Sequence, residues 1–249
     1  MDCKLLRQCK KYNTEYCNDN CYPYVFTHGS NGNGGVWAST NVPLSYRKYL
    51  AETMPIKNSS DNRECYLRFC NYIENIERLV LDDNIGIYLF GGTGVGKTTT
   101  AVTILNEYVI ERVRLHLKGK RKIDKQVGYF IKSADLQNIY NSQFRGNVEV
   151  QNNASAKYYR YKDIMMTAEL LVIDDIATRD TTESFKNELF EIIDHRAINN
   201  LTTIFTSNES LKDLPKYVGD RIASRIEGMT KPMLLKGKDN RLGGLWNGK

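Results

Sequence analysis

The chain has 249 residues, 41% of them hydrophobic, and 35 Lys and Arg stand against 29 Asp and Glu for a formal net charge of +6. That size suits one large α/β domain with a small appendage. No apolar run approaches the roughly 20 residues of a membrane span, and the start, Met1-Asp-Cys-Lys4, has no signal-like apolar stretch. A cytoplasmic protein, neither membrane-spanning nor exported, is expected. The positive excess permits contact with a polyanion, although it serves simple solubility equally well.

Residues 1–40 are rich in Cys, Tyr, Asn and Gly, with a turn-rich loop over 28–35 and aromatic neighbours Tyr22, Tyr24, Phe26 and Trp37. A module with so small a core needs a metal or a partner to hold it. Cys3, Cys9, Cys17 and Cys21 supply four thiols for a tetrahedral zinc site, with His28 as a possible substitute. The spacing, C-x5-C-x7-C-x3-C, lacks the tight pairs of common zinc modules, so unliganded thiols stay open as the alternative. Disulfides are not expected in a chain without an export signal.

Residues 41–62 form a connector that opens with a short helical turn, Asn41-Val-Pro-Leu-Ser-Tyr-Arg47, and ends in a polar run. Apolar residues then recur at helical spacing over 63–81, and Cys65 and Cys70 read as small core residues of that helix. Strands are predicted at 85–90, 128–132, 170–174, 202–206 and 232–235, separated by helices at 97–115, 133–144, 182–199 and 218–226. The alternation implies a mostly parallel sheet with helices on both faces and a ligand site beyond the carboxyl ends of the strands.

The first strand runs into Gly91-x-x-x-x-Gly96-Lys97-Thr98, the spacing of a nucleoside-triphosphate phosphate loop. Its backbone from Gly92 through Thr93, Gly94, Val95 and Gly96 to Lys97, Thr98 and Thr99 would cradle the phosphates of ATP. Lys97 would reach the β and γ phosphates, and the Thr98 hydroxyl would hold Mg²⁺. Five of the ten residues at 116–125 are Lys or Arg, a loop that can track phosphates or simply face solvent. Residues 141–163 interleave Phe144, Tyr158, Tyr159 and Tyr161 with Arg145, Lys157, Arg160 and Lys162. Bases can stack on such aromatics while cations hold the backbone, or the tyrosines can pack on the sheet.

The strand at 169–175 ends in two carboxylates. Asp174 would fix the Mg²⁺, and Asp175 would orient the attacking water or take its proton. The next strand ends at Asn208, a polar side chain able to contact the γ-phosphate or the water. Arg221 and Arg225 lie four apart on one helical face. A guanidinium supplied across a subunit interface can stabilise γ-phosphate charge in the transition state, and Arg225 is assigned that role.

The segments 91–98, 169–175, 206–208 and 221–225 together resemble the AAA+ ATPases. More narrowly, residues 41–240 are similar to the DnaC/DnaI group of replicative helicase loaders and to the IstB-type ATPases, notably at 171–176, 189–196, 202–208 and 41–47. The resemblance implies an ATPase domain over 63–249 without a full C-terminal lid. It also implies a helicase-contacting module at 1–40, and DNA near a central channel lined by the stretch before Asp174. The expected function is ATP-dependent loading of a hexameric replicative helicase onto single-stranded DNA by a self-assembling ring or spiral. Two alternatives stand beside it: a transposition ATPase acting on duplex DNA, and a P-loop small-molecule kinase.

Overall fold

The computed structural model describes residues 3–6, 9–177, 181–237 and 239. The amino-terminal part carries two short helices, α1 (Tyr22–His28) and α2 (Gly35–Ser39). Helices α3 (Arg63–Glu74) and α4 (Ile76–Leu81) follow the connector. The remainder alternates: β1 (Gly86–Gly91), α5 (Lys97–Leu117), β2 (Gly128–Lys132), α6 (Ser133–Ser142), α7 (Val148–Thr167) and β3 (Leu170–Asp174). It continues with α8 (Glu183–Ile198), β4 (Thr202–Ser207), α9 (Pro215–Val218), α10 (Asp220–Met229) and β5 (Thr230–Leu235).

The five strands are all parallel, in the order β2-β3-β4-β1-β5. Successive side chains of a strand point to opposite faces, and the core divides accordingly. Ile87, Leu89, Phe130, Val172 and Ile204 pack with α5 and the amino-terminal elements, in a cluster that also takes in Cys3, Leu5, Tyr24 and Trp37. Tyr88, Tyr129, Ile131, Leu171, Ile173 and Phe205 pack with α6 to α10. A sheet covered on both faces needs near-continuous apolar strands, and every residue of β3 and β4 is buried. Pro232 sits on β5, which pairs only with β1, so its missing N–H costs no ladder bond on a second side.

Two helical regions depart from expectation. The helix predicted over 63–81 breaks at Asn75, whose side-chain amide donates to the Asn71 carbonyl at 2.9 Å and competes with the helical ladder. Helix α7 was not foreseen, because its first half is polar. Its start is nonetheless marked: Gly146 takes a positive φ of 85°, and the Asn147 side chain accepts from the Val150 N–H at 3.0 Å.

The exposed edge of β2 is closed by the connector. The Phe130 N–H donates to the Thr40 carbonyl at 2.8 Å, and the Asn41 amide donates to the Phe130 carbonyl at 2.9 Å. An unpaired edge would invite association with another strand, and this contact removes that option locally. Farther along, Asn106 of α5 donates to the Tyr46 and Tyr49 carbonyls, which lays the connector along α5.

Two buried arginines hold the layers in register. Arg196 of α8, fully buried, donates to the carbonyls of Met165, Ala168 and Thr202 and to the Thr203 hydroxyl, and burial pushes its pKa down to about 9. Arg112 of α5 makes a two-pronged pair with Glu169, at 2.7 and 2.8 Å, and Tyr108 donates to the same carboxylate at 2.7 Å. Burial pulls the Arg112 pKa down, but the bonds and charge of Glu169 outweigh it and leave a net rise. Breaking a buried pair strands a charge away from water, so Glu169→Ala is expected to cost about 3–5 kcal/mol. Urea unfolding monitors this directly. A loss below about 1 kcal/mol, the scale of a surface pair, would contradict the assignment.

Candidate active site at the carboxyl ends of the strands

Strand β1 delivers the phosphate loop and α5 receives it. Gly96 caps α5 with φ +100°, and Gly94 takes φ +72°, conformations that a β-carbon disfavours. Gly94 also has no room for one, since a β-carbon there would sit 1.7 Å from Oδ1 of Asp239, in the segment after β5. The first turn of α5 holds no acidic residue, and its positive helix end suits an anion. Val95 is buried and anchors the loop in the core.

Lys97 crosses the mouth of the site. Its ammonium donates to the carbonyls of Gly91 and Gly92 at 2.9 and 2.7 Å and to Asn208 Oδ1 at 2.7 Å. The pairing joins two residues 111 positions apart, both expected to serve the γ-phosphate. Thr98 Oγ1 donates to Asp174 Oδ1 at 2.8 Å, so the two expected Mg²⁺ contacts already touch. The same carboxylate oxygen accepts from Thr206 Oγ1 at 2.7 Å, and that hydroxyl accepts from the Asp175 N–H at 2.8 Å.

Thr206 is a site residue that pattern reading missed. Its signal was available: β3 and β4 are parallel neighbours with Ile173 opposite Phe205, so the next residue of each strand meets at the carboxyl edge.

Asp174 is 4% exposed. Burial raises its pKa; the Thr206 and Thr98 hydroxyls pull the other way, and the Asp175 charge adds to the rise. Asp175 differs in every respect. It is exposed, sits in the left-handed region at φ +57°, and its carboxylate makes no hydrogen bond or ion pair among the described residues. One carboxylate is thus buried among hydroxyls and the other exposed.

The donor set fits Mg–ATP: an amide cradle, a Lys ammonium for phosphate, and a hydroxyl and carboxylate of the hard-oxygen kind that Mg²⁺ takes. Mg²⁺ supplies charge neutralisation on the phosphates when bound.

Arg225 is not brought to this site. It lines a cleft with Asn84 and Asn200, which precede β1 and β4, whereas Lys97 stands at the carboxyl ends of those strands. A six-residue strand spans roughly 20 Å. Its Nε donates to Asp194 Oδ1 at 2.6 Å, and Arg221 lies 4.0 Å over the Phe190 ring.

Zinc on the four cysteines is not shown. Cys9, Cys17 and Cys21 are near enough to Cys3 for their charges to act on it, but among the described residues no three Cys, His, Asp or Glu side chains are placed to hold a metal. Cys3 is buried in the apolar cluster, and that burial raises its thiol pKa. His28 accepts from the Lys4 N–H and stacks on Trp37. Cys65 is buried, and desolvation lifts its thiol to about 11.

The aromatic stretch divides in two. Tyr158 is buried and donates to Glu188, and Lys162 pairs with Glu188 and Glu191. Phe144, Arg145, Lys157, Tyr159 and Arg160 face solvent. In the basic loop, Arg121 pairs with Glu77 and Asp82, while Lys118, Lys120, Lys122 and Lys125 are exposed.

Asp174→Asn keeps an oxygen for Thr98 and Thr206 and removes the buried charge. An acid whose folded pKa lies above its unfolded one costs stability once ionised. The penalty is absent below the ordinary value of 3.8 and grows as pH rises through the folded pKa. Without Mg–ATP the variant is therefore expected to melt higher than the parent at neutral pH and to match it in acid. Turnover should fall by about 100-fold or more, since metal stabilisation of the transition state is worth several kcal/mol. A variant less stable at pH 7 than the parent would contradict this electrostatic account.

The model of the IstB-like ATP binding protein family matches residues 57–227. The replicative helicase loader DnaC of Escherichia coli K12 is 27% identical over 146 residues, 58% of this chain and 51% of that protein, and the DnaC of Shigella flexneri matches to the same extent. The chain spans about half the length of the curated relatives it matches. The crystal structure of the DnaC helicase loader superposes with a TM-score of 0.57 at 23% identity, covering 78% of this chain and 100% of that one. The DnaI crystal structure gives 0.58 at 21% identity over 81% and 95%. The replication initiator DnaA bound to AMPPCP and single-stranded DNA gives 0.53 at 20% over 77% and 50%. What these structures share with the chain is the α/β P-loop fold of AAA+ domains.

Proposed function

This chain belongs to the IstB-like ATP-binding family, and we propose that it is an ATP-driven loader that places a hexameric replicative DNA helicase on single-stranded DNA. Membership implies ATP binding and hydrolysis. The observation that carries the finer reading is the division of the site. Lys97, Thr98, Asp174 and Asn208 meet at one edge of the sheet, and Arg225 lies at the other. A chain so built reaches full activity when a second copy brings its arginine, so nucleotide binding and self-assembly into a ring or spiral are coupled.

In this reading the loop over 92–99 binds the phosphates and Thr98 with Asp174 holds the cation. Asp175 orients the water or accepts its proton, and Asn208 follows the γ-phosphate through Lys97. The exposed residues Phe144, Arg145, Lys157, Tyr159 and Arg160 offer bases a stacking surface and phosphates their cations. Tyr158 and Lys162 are structural, committed to Glu188. Residues 1–40 dock the helicase, 41–62 connect, and 63–249 form the ATPase. Loss of the γ-phosphate loosens the assembly and releases the loader.

The names of the matched relatives favour a helicase as partner, and the family name keeps one alternative in view, a transposition helper acting on duplex DNA. Co-purification with the hexameric helicase of the same source separates them. A complex is expected that requires residues 1–40 and whose stability depends on ATP in the parent chain but not in Lys97→Ala. Failure to bind any such helicase, with ATP-dependent filaments on duplex DNA instead, would overturn the loader reading in favour of the transposition helper.

A further inference from the structure

The face that presents Arg225 is itself built from paired contacts. Helix α8 places Phe190 and Asp194 one turn apart, and α10 places Arg221 and Arg225 one turn apart. The two helices pack together so that Phe190 meets Arg221 and Asp194 meets Arg225. Both contacts leave the working edge of the guanidinium open. A ring under Arg221 engages its flat face and none of its N–H groups. Asp194 takes only the Nε–H of Arg225, one of five donors, so the two terminal nitrogens keep theirs.

Among the described residues those terminal nitrogens make no hydrogen bond, and the Arg225 side chain is 48% exposed. An exposed Arg–Asp pair contributes little to stability. What such a pair does is restrict a long, freely rotating side chain to one direction before it meets a ligand.

We propose that Asp194 is a positioning residue: it holds the Arg225 guanidinium edge-outward for the γ-phosphate in a neighbouring copy, with Phe190 steadying Arg221 beside it. The inference rests on the trans-acting role given to Arg225 above and adds the residue that aims it. The occupant of this face is a second copy of the chain, because Arg225 lies a strand length from its own phosphate loop. The guanidinium, not Asp194, touches the nucleotide.

A mixing experiment tests this. Chains carrying Lys97→Ala have a disabled nucleotide site and an intact arginine, and chains carrying Arg225→Ala have the reverse. Mixed in the presence of single-stranded DNA, they are expected to recover turnover that neither has alone. Adding Asp194→Ala to the Lys97→Ala chain should lower the recovered turnover at saturating ATP by about tenfold, the scale of a misdirected catalytic group. The KM for ATP, which belongs to the other chain, should not move. Asp194→Asn in the same place still accepts from Nε and should keep at least half of the recovered rate.

Full recovery with the Asp194→Ala donor would overturn the positioning role while leaving the trans arginine in place. A raised KM at unchanged maximal rate would overturn it too, as would a loss equalled by Asp194→Asn. No recovery in the first mixture would remove the trans arginine itself, and this inference with it. Thermal melting of each donor, expected within a degree or two of its parent, excludes misfolding as the cause of a lost rate.

Discussion

One carboxylate oxygen ties the site together. Oδ1 of Asp174 accepts from Thr98 at the start of α5 and from Thr206 at the end of β4, so three segments distant in sequence meet at a single buried acceptor. Burial makes that carboxylate costly to ionise. The two hydroxyls offset part of the cost, and a bound divalent cation would offset more. In the proposed function this cost to stability is local, and nucleotide loading would relieve it. Thr206 passes the same order on, since its oxygen receives the Asp175 N–H and so fixes the left-handed turn that faces the second carboxylate outward.

The arginines follow a different logic. The parallel sheet gathers everything needed to bind triphosphate at one edge, but α10 runs back to the opposite edge, where Thr230 of β5 pairs with Gly86. Arg225 travels with it. A residue placed there is about a strand length from its own phosphate loop, and the role proposed for it is therefore toward the nucleotide of a neighbouring copy. Under that proposal, coupling of hydrolysis to assembly would follow from topology and need no additional moving part.

The motifs and the sheet were legible because each has a local cause. Gly91, Gly94 and Gly96 announce a loop that only glycines can form, and apolar strands ending in Asp174 and Asn208 announce a parallel sheet with polar carboxyl ends. The rest depends on contacts between distant segments. Thr206 reads as one more strand threonine until β3 and β4 are in register. Helix α7 hides behind a polar first half, and its buried Tyr158, Lys162 and Met165 show which face turns inward. The cysteines leave zinc open, because spacing counts ligands without reporting that Cys3 packs in the apolar cluster. Whether aromatic and basic residues at 141–163 serve structure or a ligand could not be read from composition; burial separates Tyr158 from Tyr159 although they are neighbours.

The proposed placement of a ring helicase on DNA can be read from strand separation. The most direct measurement is strand separation by the purified helicase of the same source on a closed single-stranded circle bearing one annealed oligonucleotide and coated with single-strand-binding protein. A closed, coated circle offers no end for the ring to thread. The account predicts displacement of the oligonucleotide when this chain and ATP are both present, and none when the Lys97→Ala chain replaces it. Equal displacement without the chain, or none with it although a complex forms, would contradict the account.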